Sequence, residues 1–176
     1  MKKCIFVIDM VNGFVHEGAM HDEKIMKIVP FIKKLLNDSK NERIIFIADT
    51  HEESAIEFNS FPPHCVEGTS ESEIIDELKP WVQELVEKNS TNAFHALDMN
   101  SFINEYDEYI LVGCCSDICV MQFALTLKTY LNQYNNASKV IVYKEGIATY
   151  DAPHHPAKEY HEMAIKLMEQ SGIKVQ

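Results

Sequence analysis

At 176 residues, 46% hydrophobic and 24% charged, the chain has the size and balance of one globular domain with its own core. A formal net charge of −11 excludes the basic face that a nucleic-acid partner would need. The cysteines number five, three of them within Cys114–Cys119, which excludes a disulfide framework and points to a reducing, cytoplasmic setting.

In chain order, Cys4–Ile8 is a short apolar run closed by Asp9, too short for a signal peptide or a membrane span. Ile25, Ile28, Val29, Ile32, Leu35 and Leu36 recur three or four apart, predicting a helix over 25–36 that begins or bends at Pro30. Ile44–Ala48 is a second apolar run, closed by Asp49. Leu85–Val86 is a weaker one, with Lys88 just beyond it. Tyr109–Val112 follows and leads into Gly113-Cys-Cys-Ser-Asp-Ile-Cys119. A helix is predicted over Cys119–Tyr134, a strand over Val140–Tyr143, a helix over Pro156–Ser171 stopped by Gly172, and a weak strand at Ile173–Val175.

The main runs are continuous rather than alternating, as in strands buried on both faces of a parallel sheet. Strands alternating with helices predict an α/β class: a doubly wound, mostly parallel sheet with helices on both faces, residues 1–176 forming a single domain. Ligands in such sheets bind beyond the carboxyl ends of the strands. Asp9, Asp49, Lys88 and the cysteine-rich turn are therefore expected on one rim.

Two constellations carry chemistry. Asp49 and His51 stand two apart at a strand end, on one side of the chain. With Glu57 and His64 they offer imidazole and carboxylate donors for a borderline divalent ion such as zinc, manganese or iron. The same residues also fit a solvated acidic loop with incidental histidines. In the second constellation, Cys119 opens a helix behind Ser116 and Asp117, two residues able to cap it. A helix N-terminus lowers a thiol pKa, and Lys88 would favour the thiolate further. Asp9, a carboxylate closing an apolar strand, needs a partner or a task. Taken alone, Cys119 reads first as a core residue, as do Cys4, Cys65 and Cys114. The spacing of Cys114 and Cys115 is not that of a redox pair.

Four stretches, "VIDMVNGFV", "DTHEESAIEFNSFPPHC" with "EGT", "EKNSTNAF" and "GCCSDICV", together resemble the nicotinamidase branch of the isochorismatase-like cysteine hydrolases. The resemblance spans nearly the whole chain. It implies a Cys119–Asp9–Lys88 triad and one divalent metal, zinc foremost, held by Asp49, His51, Glu57 and His64. It also implies a cis peptide at Cys114–Cys115 and an oxyanion hole formed by the backbone N–H groups of Cys115 and Cys119. Phe14 and Phe61 are implied as ring-packing walls, with packing in the core the alternative for each. The implied activity is conversion of nicotinamide to nicotinate and ammonia through a cysteine thioester. Another small amide, or a carbamoyl or ureido compound, is the alternative substrate. The resemblance further implies a small-molecule amide as the partner and a possible homo-oligomer, with no membrane partner. Ser116 stands where the family pattern has threonine. "CVMQFAL" lacks the His-Thr that often follows the nucleophile, and Thr91 stands where several relatives carry an aromatic.

Overall fold

The apolar runs form strands because each supplies side chains to both faces of a sheet at once. The computed structural model describes residues Met1–Gln176. Strands β1 (Lys3–Ile8), β2 (Arg43–Asp49), β3 (Leu85–Lys88), β4 (Glu108–Cys114), β5 (Lys139–Ala148) and β6 (Lys174–Val175) make one sheet, ordered β3-β2-β1-β4-β5-β6. Every neighbouring pair is parallel. The helices are α1 (Asn12–Val15), α2 (Val29–Asp38), α3 (Met121–Gln133) and α4 (Ala157–Gln170).

Side chains of β1 alternate between two cores. Cys4, Phe6 and Ile8 pack with Phe123 and Leu127 of α3 and Ala164 and Met168 of α4. Ile5 and Val7 pack with Ile32 and Leu36 of α2 on the opposite face. The sheet is therefore covered on both sides, and its central strands have no polar face. Phe6 meets Phe123 edge-on, with ring centroids 5.0 Å apart. Truncating such a fully buried ring costs about 3–5 kcal/mol.

One element breaks at the proline as the sequence predicts, and two differ from the expectation. The predicted helix over 25–36 divides into a 3-10 turn, Glu23–Ile28, and α2, with Pro30 in the first turn of α2 where its missing N–H costs nothing. The helix predicted from Cys119 is preceded by a π-helical turn, Ser116–Val120, and becomes α-helical only at Met121. Strand β5 runs on from Tyr143 to Ala148. Its register against β4 shifts between Leu111 and Gly113, and the exposed Lys144 and Glu145 interrupt the apolar pattern there.

Gly113 is required where it stands. Its φ is +121°, and a Cβ would lie 2.0 Å from the carbonyl oxygen of Ile8. The close approach of β4 to β1 brings their carboxyl ends together at the point where strand order reverses. That switch point is where a doubly wound sheet opens a crevice for a ligand.

Candidate active site

Four strand ends converge on this crevice. Asp9 follows β1, Asp49 ends β2, Lys88 ends β3, and β4 delivers the turn that carries Cys119. Asp49 and Lys88 are register partners across β2 and β3, so strand pairing alone places their backbones side by side. Asp9, Asp49 and Lys88 are 0%, 1% and 3% exposed. Charges so deeply buried persist only when paired.

Lys88 supplies that pairing. Its Nζ lies 2.6 Å from Asp49 Oδ1, 2.9 Å from Asp9 Oδ2 and 3.9 Å from Cys119 Sγ. Asp9 Oδ1 has no hydrogen-bond partner in the chain. Burial raises the Asp9 carboxyl to about 6 against the pull of Lys88. Burial also acts on Asp49, but the Lys88 ammonium outweighs it and holds that carboxyl well below the usual range. Burial lowers the Lys88 amine, and the two carboxylates more than offset it, leaving the ammonium strongly favoured.

The expectation for Cys119 needs correction on two points. Burial pushes its thiol well above the ordinary value, with Lys88 opposing, so the net direction is the reverse of helix-terminus activation. The expected caps are also absent: neither Ser116 nor Asp117 makes a side-chain cap to the turn. Both reach across to histidines of the C-terminal segment instead. The Cys114–Cys115 peptide is cis. The Cys115 carbonyl accepts from Ile118 N and Val120 N, both at 3.1 Å, while the Cys115 N–H donates no backbone hydrogen bond.

Beside this group the donor atoms of Asp49, His51 and His64 lie within 4.8 Å of one another. His64 Nδ1 is 2.7 Å from the Pro62 carbonyl, and His51 Nδ1 is 3.0 Å from Asn89 Oδ1. Both acceptors call for an Nδ1–H, which leaves each Nε2 as a lone pair. These lone pairs face Asp49 Oδ2 at 3.3 and 3.4 Å. Three buried acceptors converge with no donor among them, and His51 Nε2 has no hydrogen-bond partner. A divalent cation resolves that arrangement, and fixing the tautomer through the far nitrogen is how metal-binding histidines are held. The residues therefore fit the expected metal. Glu57 lies outside the three-donor cluster. Its Oε2 accepts from Thr91 N at 3.1 Å, and its Oε1 is buried without a partner. A second group, Asp9, Asp49 and Cys119, also clusters, but the Lys88 ammonium contacts all three residues.

A narrow cleft, with an internal volume of about 10 Å³, opens over both groups. Asp49, Glu57, His64, Cys115 and Cys119 line it, together with Phe14 and Phe61. Each residue expected in the triad, the metal site or the walls thus lies at the cleft or in contact with its floor. Phe14 also belongs to the core, 2% exposed, so its two expected roles coincide. Sequence reasoning missed Met20 and Ile118 as lining residues. It also missed Asn89 and Pro62, which orient the histidines. Met20 lies outside the quoted motifs, whereas Ile118, Asn89 and Pro62 sit inside them at positions whose contacts the motifs do not specify.

A family model described as Isochorismatase domain matches residues 3–176. A relative from Arabidopsis thaliana named Nicotinamidase 1 is 31% identical over 179 residues, covering 88% of this chain and 72% of the relative. The crystal structure of an N-carbamoylsarcosine amidase from Thermoplasma acidophilum superposes with a TM-score of 0.78 at 27% identity, covering 100% of this chain and 96% of that one. A nicotinamidase/pyrazinamidase from Bacillus subtilis superposes with a TM-score of 0.77 at 26% identity, covering 99% of each chain.

Proposed function

The chain belongs to the isochorismatase family, and from that premise we propose that it is an amidase hydrolysing nicotinamide to nicotinate and ammonia in one domain spanning 1–176. The observation that carries this proposal is the buried contact of Lys88 with Asp9, Asp49 and Cys119, under a small cleft walled by Phe14 and Phe61.

Cys119 is the nucleophile and Asp9 the proton carrier. As Sγ attacks the carboxamide carbon, the thiol proton passes to Asp9, and the carbonyl π pair moves onto oxygen. The oxyanion is received by the backbone N–H groups of Cys115 and Cys119, each such donor worth about 3–4 kcal/mol. Asp9 returns the proton to the departing nitrogen, the C–N bond breaks, and ammonia leaves a thioester. Water then attacks the thioester carbon while Asp9 takes its proton. Collapse expels the sulfur, which regains a proton from Asp9, and the acid departs. Lys88 holds the anionic groups in place throughout and cannot leave them without exposing two buried carboxylates.

Asp49, His51 and His64 would hold the divalent metal, with Glu57 at the same cleft. When bound, it supplies Lewis acidity and an attachment point for a ring nitrogen. Two nitrogens and a carboxylate suit zinc, with manganese and iron also compatible. The flat apolar walls favour an aromatic ring. The likeness to an N-carbamoylsarcosine amidase supports a second substrate class, a carbamoyl or ureido compound. No helix of the chain is long and apolar enough to cross a membrane.

The test is ammonia release from nicotinamide by metal-replete, reduced protein, beside a Cys119→Ala variant and a chelated sample. Release should vanish in the variant while its thermal unfolding stays cooperative, and it should fall on chelation. Full activity in Cys119→Ala would sink the mechanism. Release from an N-carbamoyl amino acid but not from nicotinamide would move the substrate to the second class.

A further inference from the structure

The turn that carries Cys119 is held from outside the cleft by side chains that take no part in the chemistry above. Within the turn, Ile118 N and Val120 N reach back to Cys115 O, and neither bond fixes the side chains of Ser116 or Asp117. Neither of those two lines the cleft. Asp117 Oδ2 lies 2.8 Å from His155 Nε2, and Ser116 Oγ lies 3.1 Å from His161 Nδ1. Asp117 and His155 are 9% and 11% exposed at the side chain, so their contact is largely shielded from water.

His155 is itself built in. Its ring stacks on Tyr150 at 4.0 Å with planes 7° apart, and lies 3.9 Å from the Tyr160 ring on its other contact. Its Nδ1 sits 3.0 Å from the Tyr150 carbonyl oxygen. Each ring nitrogen thus has a polar partner of its own. The loop that presents it closes on itself through paired bonds between Ala152 and His155, at 3.0 and 2.9 Å. The imidazole therefore has little freedom of its own. Asp117 Oδ1 is buried and unpartnered, so its carboxylate leans on this one side chain.

We propose that His155, acting through Asp117, is a positioning residue that fixes the nucleophile turn so that Cys119 Sγ stays over Lys88 and Asp9. The proposal rests on the amidase assignment for its kinetic arm only. His155 touches neither the cleft nor the triad, and it orients the backbone that carries both the nucleophile and the Cys115 N–H. A displacement of about 1 Å at a reacting atom is enough to cost roughly 100-fold in rate.

The experiment compares wild type, His155→Ala, His155→Gln, Asp117→Ala and the double alanine variant. It reads kcat and KM for nicotinamide, thermal unfolding, and hydrogen exchange of the peptide covering residues 115–120. In His155→Ala, kcat should fall roughly 10- to 100-fold with KM changed less than about threefold. Exchange should rise in that peptide and not in β1 or β2. His155→Gln, which keeps a donor for Asp117, should recover at least part of kcat. The double variant should be no slower than the worse single one, the signature of two residues acting as a unit. Unchanged kcat and exchange in His155→Ala would overturn the proposal. So would additive losses in the double variant, or a kcat loss that follows unfolding temperature with no recovery in the Gln variant. If wild type does not turn over nicotinamide, the exchange arm alone decides, and its failure is separate from that of the amidase assignment.

Discussion

The two sides of the cleft are built by different means. The floor is made of strand ends: Asp49 and Lys88 are set by parallel register, Asp9 directly follows β1, and all three are almost fully buried. The walls come from segments between strands: Phe14 in α1 and Met20 after it, Glu57, Phe61 and His64 between β2 and β3, and Thr91 after β3. Register leaves a side chain one place to be, whereas a loop can change its residues without disturbing the sheet. Reaction chemistry is thus written into the fold, and ligand choice into what is draped over it. Lys88 and Phe61 stand for the two sides.

The largest expected effect tests the floor. Lys88→Met leaves the Asp9 and Asp49 carboxylates buried without a counter-charge, which should destabilise the fold by about 3–5 kcal/mol in a denaturant titration. Stability within about 1 kcal/mol of wild type would mean that the floor is less rigid than strand register implies. The next test straddles floor and wall. Zinc at about 100 times its dissociation constant should stabilise the fold by roughly 2.7 kcal/mol, and His64→Ala should abolish most of that gain. A gain unchanged in the variant would place the ion elsewhere. A smaller effect is expected on the wall. Phe61→Ala should raise KM roughly tenfold, about 1–3 kcal/mol of apolar contact, with kcat nearly unchanged. An equal loss in kcat would assign the wall a share in the chemistry.

The smallest effect lies behind the floor. Burial, then Lys27, holds His161 below its ordinary value of 6.5, with Asp117 and Glu162 opposing and Lys144 adding to it. A depressed imidazole contributes stability that is fully present above its unfolded pKa and is lost as pH falls below about 6.5. His161→Gln should therefore flatten the acid side of the stability curve below that pH. An unaltered slope would remove His161 from the groups that couple the turn to α4.

What could be read from the sequence follows the same division. β1, β2 and β4 are visible because both faces are apolar, and the polar residues that end or follow them stand out against that run. The second half of β5 is hidden because Lys144 and Glu145 fall where the register slips, so period and hydrophobicity fail together. Asp49, His51 and His64 could be proposed as a set, but their fitness as ligands depends on Asn89 and the Pro62 carbonyl, which only the fold places beside them. His155 and Asp117 lie 38 residues apart and meet only through the tertiary structure. Local chemistry can be recognised from spacing, while its orientation depends on contacts that spacing does not record.

Asp49 uses one oxygen toward Lys88 and the other toward His51 and His64. Mutational series at this position will therefore be confounded. An alanine replacement withdraws a counter-charge from the lysine and a ligand oxygen from beside the histidine pair in the same stroke, and neither loss can be credited separately. The same linkage constrains how such a site could drift. On the proposed assignment, a descendant that dispensed with a metal would have to lose a histidine first, because changing the shared carboxylate withdraws the counter-charge beneath Cys119 before any new ligand preference could be tried.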